Sequence, residues 1–135
     1  MSEQPFKLDL EVRDYECDMG GIVNNSVYLN YMEHARHAFL KHKGYDYAAL
    51  TQRGINLVVI RIEADYLFSL RSGDSFYVTA ALERISKLRF GFLQEIYRSP
   101  DNKPIFKARV FCTSLNSEGR PTYFKEIDEF FQQTD

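Results

Sequence analysis

Cysteine is scarce in this chain. Cys17 and Cys112 are the only two in 135 residues. They form neither a CxxC pair nor a metal-ligand spacing, so no disulfide framework or zinc site is expected. Free thiols are most simply accommodated in a cytoplasmic protein. Long apolar runs are missing too: none reaches the ~18 residues of a membrane span, and the N-terminus lacks the basic-then-apolar layout of a secretory signal. There is no excess of positive charge. A net charge of −2 and a pI near 5.9 argue against a nucleic-acid-binding protein, which usually carries a basic stripe. Linkers, repeats and low-complexity segments are also lacking, which predicts one domain over residues 1–135. Apolar and aromatic residues are plentiful, at 44% and 15%. That content excludes a disordered chain and supplies a core that buries roughly two-thirds of the unfolded surface.

The apolar pattern changes period along the chain. Phe6, Leu8, Leu10 and Val12 alternate with Lys7, Asp9, Glu11 and Arg13, as in a half-buried strand. From about Ser26 to Lys43 the spacing is helical: Tyr28, Tyr31, Met32, Ala35, Ala38 and Phe39 share a face opposite Asn30, Glu33, His37 and Lys41. Asn24, Asn25 and Ser26 are N-cap types, and Gly44 suits a C-cap. A short second helix is expected from Tyr45 to Gln52, closed by Gly54.

Everything after Gly54 reads as sheet. Val58, Ile60, Ile62, Ala64, Tyr66 and Phe68 would share one face of a long strand. Arg71-Ser72-Gly73-Asp74 forms a turn, followed by alternation through Phe76, Val78, Ala80 and Leu82, and then a strand from Leu88 to Tyr97. Ser99-Pro100-Asp101-Asn102-Lys103-Pro104 signals a hairpin before Phe106, Ala108, Val110 and Cys112. Ile127, Phe130 and Phe131 suggest a short C-terminal helix or turn. The long helix spans about 27 Å and a ten-residue strand about 33 Å, so an antiparallel sheet of about five strands can curl around the helix. The fold class is α+β. A single helix cannot cover both faces, and Leu57, Val59, Leu67 and Leu93, read as outer alternates, suggest a surface for self-association.

The densest chemical signal is Tyr15-Glu16-Cys17-Asp18-Met19-Gly20-Gly21-Ile22-Val23-Asn24-Asn25, which leads straight into the helix. It sets the Asp18 carboxylate after a strand and before a glycine turn that opens on a helix N-terminus. Unpaired N–H groups and partial positive charge at that terminus suit a developing oxyanion. A carboxylate held opposite such donors acts as base or nucleophile on a carbonyl they polarise. The competing reading makes Asp18 a loop cap and the glycines merely its turn.

The run from Asp18 to Arg36, Asp-Met-Gly-Gly-Ile-Val-Asn-Asn-Ser-Val-Tyr-Leu-Asn-Tyr-Met-Glu-His-Ala-Arg, resembles the signature of hotdog-fold acyl-CoA thioesterases of the 4-hydroxybenzoyl-CoA thioesterase type. Ile60–Phe68, Gly73-Asp74 and Gly119-Arg120-Pro121 resemble later pieces of that family in the same order. The resemblance implies a hot-dog fold and hydrolysis of an acyl-CoA thioester to free acid and CoA, without a cofactor. It implies a homodimer joined edge to edge, often paired into a homotetramer, with active sites at the dimer interface. The catalytic carboxylate falls on Asp18. Backbone N–H groups near Val23, Asn24 and Asn25 would polarise the carbonyl; Tyr28, Tyr31 and Met32 on the core face would suit a pocket lining as well as plain packing. Several bacterial members carry histidine where this chain has Asn25, and Asn takes no proton at neutral pH. The rival readings are an acyl-carrier-protein thioesterase and a non-catalytic acyl-binding hot-dog protein.

Other candidates carry weaker signals. Lys87 and Arg89 could bind the phosphates of coenzyme A, or simply be exposed strand alternates. Cys17 has no neighbouring base in sequence, so a catalytic thiol is disfavoured. Glu33 and His37 have i,i+4 spacing, but no third ligand is suggested beside them, and His34 and His42 add none, so no metal is expected. Arg36 reads as structural, paired with Glu33 or a backbone carbonyl.

Overall fold

The computed structural model describes residues 5–132, and its elements follow the predicted order. Strand β1 (Phe6–Glu11) leads through a 3-10 turn (Asp14–Glu16) to helix α1 (Val27–His42) and short helix α2 (Tyr47–Gln52). Strands β2 (Asn56–Tyr66), β3 (Ser75–Arg84), β4 (Arg89–Ser99) and β5 (Lys103–Leu115) follow, and α3 (Lys125–Gln132) comes last. The strands form one antiparallel five-stranded sheet in the order β1-β3-β4-β5-β2. The sheet packs its inner face on α1, which is the hot-dog arrangement. β1 and β2 are its two edges.

Helix α1 buries Tyr28, Tyr31, Met32, Ala35, Arg36, Phe39 and Leu40, a stripe at i, i+3, i+4 spacing. Opposite it lie Phe76 and Val78 of β3, Phe90, Phe92 and Ile96 of β4, and Phe106 and Val110 of β5, all buried. Tyr31 packs on Phe76 with ring centroids 4.7 Å apart, Tyr28 stacks on Phe106 at 5.3 Å, and Phe39 meets Phe92 edge-on at 5.9 Å. These contacts span most of the helix length and fix both its rotation and its axial position.

The helix ends differ from each other in kind. At the C-terminus, Gly44 adopts φ 95°. The Tyr45 N–H then bonds the Leu40 carbonyl and the Gly44 N–H bonds that of Lys41, a full Schellman closure. Gly54 closes α2 the same way, through Ile55 to Leu50 and Gly54 to Thr51. At the N-terminus, of the three N-cap types Asn24, Asn25 and Ser26, it is Asn24 whose side chain bonds the turn. Ser26 makes no side-chain cap bond. Instead Asn24 Oδ1 accepts from both the backbone N–H and the hydroxyl of Ser26, each at 3.1 Å.

Strand β2 departs from the period-2 reading. Val59 stands opposite Cys112, yet Arg61 stands opposite Phe111, so Ile60 is an extra residue in a bulge. The insertion reverses the alternation. Leu57 and Val59 face inward together with Ile62, Ala64 and Tyr66, whereas Val58 turns outward like Arg61. Leu57 is buried, whereas Val59, Ile62 and Tyr66, on this edge strand, stay exposed, so Val59 remains among the exposed apolar residues. Of the expected outer apolar residues, Leu93 does lie on the outer face, between Ala81 and Arg109, and Leu67 is exposed just past the strand end. Among the described residues, no helix is long and apolar enough to cross a membrane.

Because only glycine enters the left-handed region without strain, Gly44→Ala is expected to cost about 1 kcal/mol. A fall in thermal midpoint of roughly 2–6 °C, with helicity retained by circular dichroism, would register it.

Candidate active site

The turn before α1 is built by pairing on both sides. Asp18 N–H bonds the Ile22 carbonyl at 2.9 Å, and Gly21 N–H bonds the Asp18 carbonyl at 3.0 Å with Gly21 at φ 82°. Cys17 and Val23 form an antiparallel bridge, as do Ile22 and Arg71. The segment is thereby stapled to the loop preceding β3. Asp18 Oδ1 accepts from the Gly20 N–H at 2.8 Å. A Cβ on Gly20 would sit 3.3 Å from that same oxygen, so glycine leaves the carboxylate its room.

The carboxylate thus performs the cap role with one oxygen. Its other oxygen has no hydrogen-bond partner among the described residues, and the side chain lies exposed at the wall of a cleft. The cap reading and the chemical reading are compatible.

That cleft has a volume of about 390 Å³ and is lined by Asp18, Ile22, Val23, Asn24, Asn25, Tyr28, Tyr66, Leu67, Phe68 and Ser69. The structure therefore brings together Asp18, Val23, Asn24, Asn25 and Tyr28. It does not bring Lys87 and Arg89 to them within one protomer. Arg89 opens β4 opposite Thr113, whereas Tyr66 at the cleft stands opposite Phe106. Seven residues along β5 separate these points by about 23 Å. Lys87 Nζ lies 5.5 Å from the centre of the Tyr123 ring.

The expected donor set also shifts. Val23 N–H is taken by the Leu70 carbonyl and Asn24 N–H by that of Glu16, both bonds being short of 3.1 Å at 2.9 and 3.0 Å. Neither is available to a ligand. The N–H groups of Asn25 and Tyr28 have no hydrogen-bond partner among the described residues and stand at the positive end of α1. These two are the backbone donors the fold leaves open here. The arrangement sets a carboxylate and a pair of unpaired backbone donors in one cleft, which is the equipment for attack on a carbonyl.

The aromatic residues around the cleft are structural partners of its backbone. Tyr28 Oη accepts from the Leu70 N–H at 3.0 Å, and burial raises the Tyr28 pKa while that backbone bond opposes the rise. Tyr66 Oη donates to the Asn25 carbonyl at 2.9 Å, tying the end of β2 to the residue that presents the oxyanion donor. Sequence reasoning placed Tyr66 on a strand face and missed this role; only its position next to exposed Leu67 and Phe68 hinted at a rim. Tyr31 Oη donates to Glu16 Oε1 at 2.8 Å, and burial together with that carboxylate keeps its proton far above the ordinary phenol range.

The remaining candidates lie elsewhere. Cys112 is buried inside the sheet, where burial pushes its thiol up to about 11, so it is no nucleophile at neutral pH. His37 stacks on Tyr47 with ring centroids 4.7 Å apart, and among the described residues no three His, Cys, Asp or Glu side chains gather as a metal site. Arg36 pairs with neither Glu33 nor a backbone carbonyl; its Nη1 donates to Gln94 Oε1 at 3.1 Å. A larger, shallow depression of about 910 Å³ lies against the sheet at Leu93, Glu95 and Lys107, and none of its lining comes from the Asp18 turn.

Comparison with known proteins places these features. Residues 12–134 match the thioesterase-like superfamily. A chloroplastic acyl-acyl carrier protein thioesterase of Arabidopsis thaliana is 37% identical over 115 residues, covering 85% of this chain. The match spans only 60% of that protein's length. A putative acyl-CoA thioesterase of Bacillus subtilis is 31% identical over 121 residues, covering 89% of this chain and 87% of that one. The crystal structure of a hypothetical protein from Aquifex aeolicus superposes with a TM-score of 0.86 at 30% identity, covering 93% of this chain and 98% of the other.

Tyr66→Phe removes the bond to the Asn25 carbonyl without altering the ring. It is expected to cost about 1 kcal/mol of stability and to speed hydrogen exchange at the neighbouring bonded amides of Val23 and Asn24. Unchanged exchange would show that the hydroxyl does not hold this loop.

Proposed function

Because the chain belongs to the thioesterase-like superfamily, we propose that it hydrolyses an acyl thioester to a free acid and a thiol, with acyl-CoA as substrate. The observation that carries this reading is the shared cleft of Asp18 and the unpaired N–H groups of Asn25 and Tyr28. The thioester oxygen would sit between those two donors. Asp18 then takes a proton from water as the water oxygen adds to the carbonyl carbon, and the oxyanion is held by the donors. Collapse breaks the carbon–sulfur bond, and the departing thiolate takes the proton back from Asp18. Direct attack by Asp18, with hydrolysis of the resulting anhydride, uses the same geometry. The likeness to the 4-hydroxybenzoyl-CoA type rests on the Asp18–Arg36 segment and on this carboxylate position.

An acyl-carrier-protein substrate is the second reading, favoured by the relative at 37% identity. Coenzyme A and carrier protein present the same pantetheine arm, so the cleft chemistry is common to both. Free-thiol release from a panel of acyl-CoA and acyl-carrier substrates separates them.

Self-association belongs to the same proposal. Edge strand β2 presents exposed Ile60, Ile62 and Tyr66, followed by Leu67 and Phe68. Pairing two β2 edges antiparallel about a two-fold axis would cover this apolar rim. It would also bring the Asn56 end of one protomer beside the Tyr66 end of the other, so that Lys87 and Arg89 approach the second copy's cleft rather than their own. That is how a phosphate-binding role for them is retained.

Asp18→Asn keeps an oxygen to accept from Gly20 N–H but removes the charge. The expected result is a fall in turnover of at least ~10²-fold, with thermal midpoint and substrate affinity nearly unchanged. Full turnover in this variant would end the proposed mechanism. For the assembly, sedimentation at micromolar concentration should show no free monomer, while Ile62→Lys should release monomer and lose activity with it. A wild-type monomer that is fully active would contradict an interface-sited centre.

A further inference from the structure

A second cavity, of about 290 Å³, lies between α1 and the start of β2, remote from the Asp18 turn. Leu40, Leu57, Phe90 and Phe92 give it apolar walls, and Arg36 is set among them. Arg36 is only 9% exposed. Its one side-chain hydrogen bond is the Nη1 donation to Gln94, and no ion pair joins it to a carboxylate among the described residues. No sealed side-chain nitrogen of the described residues lacks a partner. The remaining guanidinium nitrogens therefore keep some accessible surface, and Arg36 is among the residues that line the cavity.

A buried guanidinium without a counter-charge is costly, and its planar fork matches a carboxylate. Among the described residues no other polar group around the cavity bonds the guanidinium, although the Glu33 carboxylate, also in the lining, favours its charge through space. Tyr47 Oη is committed to the Leu57 carbonyl, His37 stacks on Tyr47, and Glu33 is exposed and unpaired. Burial lowers the pKa of Arg36, with Cys112 and Glu33 opposing, yet an arginine remains charged at neutral pH.

We propose that this cavity binds a carboxylate carried on a small apolar body, with Arg36 as the counter-charge and Leu40, Leu57, Phe90 and Phe92 enclosing the body. The volume is at the lower end of small-ligand pockets, which suits a short acyl chain or a single ring rather than a long fatty acid. Phosphates fit poorly, because their three charged oxygens would face apolar walls. Two sources share the required chemistry: a free carboxylic acid, or the far end of a thioester whose acyl chain terminates in a carboxylate.

The alternative is that Arg36 only clamps the helix. Gln94 is buried and bridges Arg36 to α1, its Nε2 donating to the Met32 carbonyl at 3.1 Å. Equilibrium binding separates the two roles and does not depend on turnover, so it fails or succeeds independently of the hydrolase reading. Octanoate should bind the wild-type protein at least roughly tenfold more tightly than octanamide, the gain expected for a charge-assisted pair. His37 imidazole resonances should shift on binding. Arg36→Met should abolish the preference for octanoate, whereas Gln94→Leu, which breaks the clamp but keeps the guanidinium, should retain it at a lower thermal midpoint. A non-hydrolysable pantetheine thioether ending in a carboxylate identifies the source: tighter Arg36-dependent binding than octanoate assigns the thioester tail, and weaker binding assigns the free acid. Equal affinity for octanoate and octanamide in the wild-type protein overturns the proposal, whether or not Arg36→Met folds. So does a preference that survives in a folded Arg36→Met variant.

Discussion

The face of α1 that carries Tyr28, Tyr31, Met32, Ala35 and Phe39 has to leave water, and the inner face of the curled sheet is the surface that receives it. Each aromatic contact along that face sets the helix a little more firmly in register. Tyr28 on Phe106 fixes one end and Phe39 on Phe92 the other. The proposed chemistry depends on this packing because its oxyanion donors would be backbone groups at the helix start. They can be no better placed than the helix itself. A site of this kind is held by the core, and the turn around Asp18 needs only to meet it.

The turn meets it through hydrogen bonds that consume nearly every donor nearby. Val23, Asn24 and Ser26 each spend their N–H on a neighbour, which leaves Asn25 and Tyr28 open. Tyr66 then holds the Asn25 carbonyl from the far side of the cleft. In the proposed mechanism a preference for an oxygen at one position would follow from this pattern of used and unused donors.

Much of this was legible in the residues. Alternation located the strands, the change of period located α1, and Gly44 and Gly54 marked the helix ends where left-handed backbone was required. The Asp18 turn stood out because glycines, a carboxylate and cap-forming residues coincide there. Three things were not legible. The bulge at Ile60 obeys no local rule, since it is defined only by the pairing with β5. Which N–H groups remain free depends on carbonyls as distant in sequence as Leu70. Arg36 reads from the sequence as a structural residue paired with Glu33 or a backbone carbonyl, and only the fold reveals its actual partner, Gln94 on β4.

The two edges of the sheet are unequal. β1 is six residues long with Lys7, Asp9 and Glu11 exposed along it, while β2 is eleven residues long, bulged, and apolar at its rim. An assembly that joins like edge to like edge uses up its adhesive surface in a single step. What remains outward is a pair of short, charged β1 strands, which invite no further strand. Under the proposed β2 pairing, growth by sheet addition would end at two subunits, and the asymmetry of the edges would act as a safeguard against fibre formation.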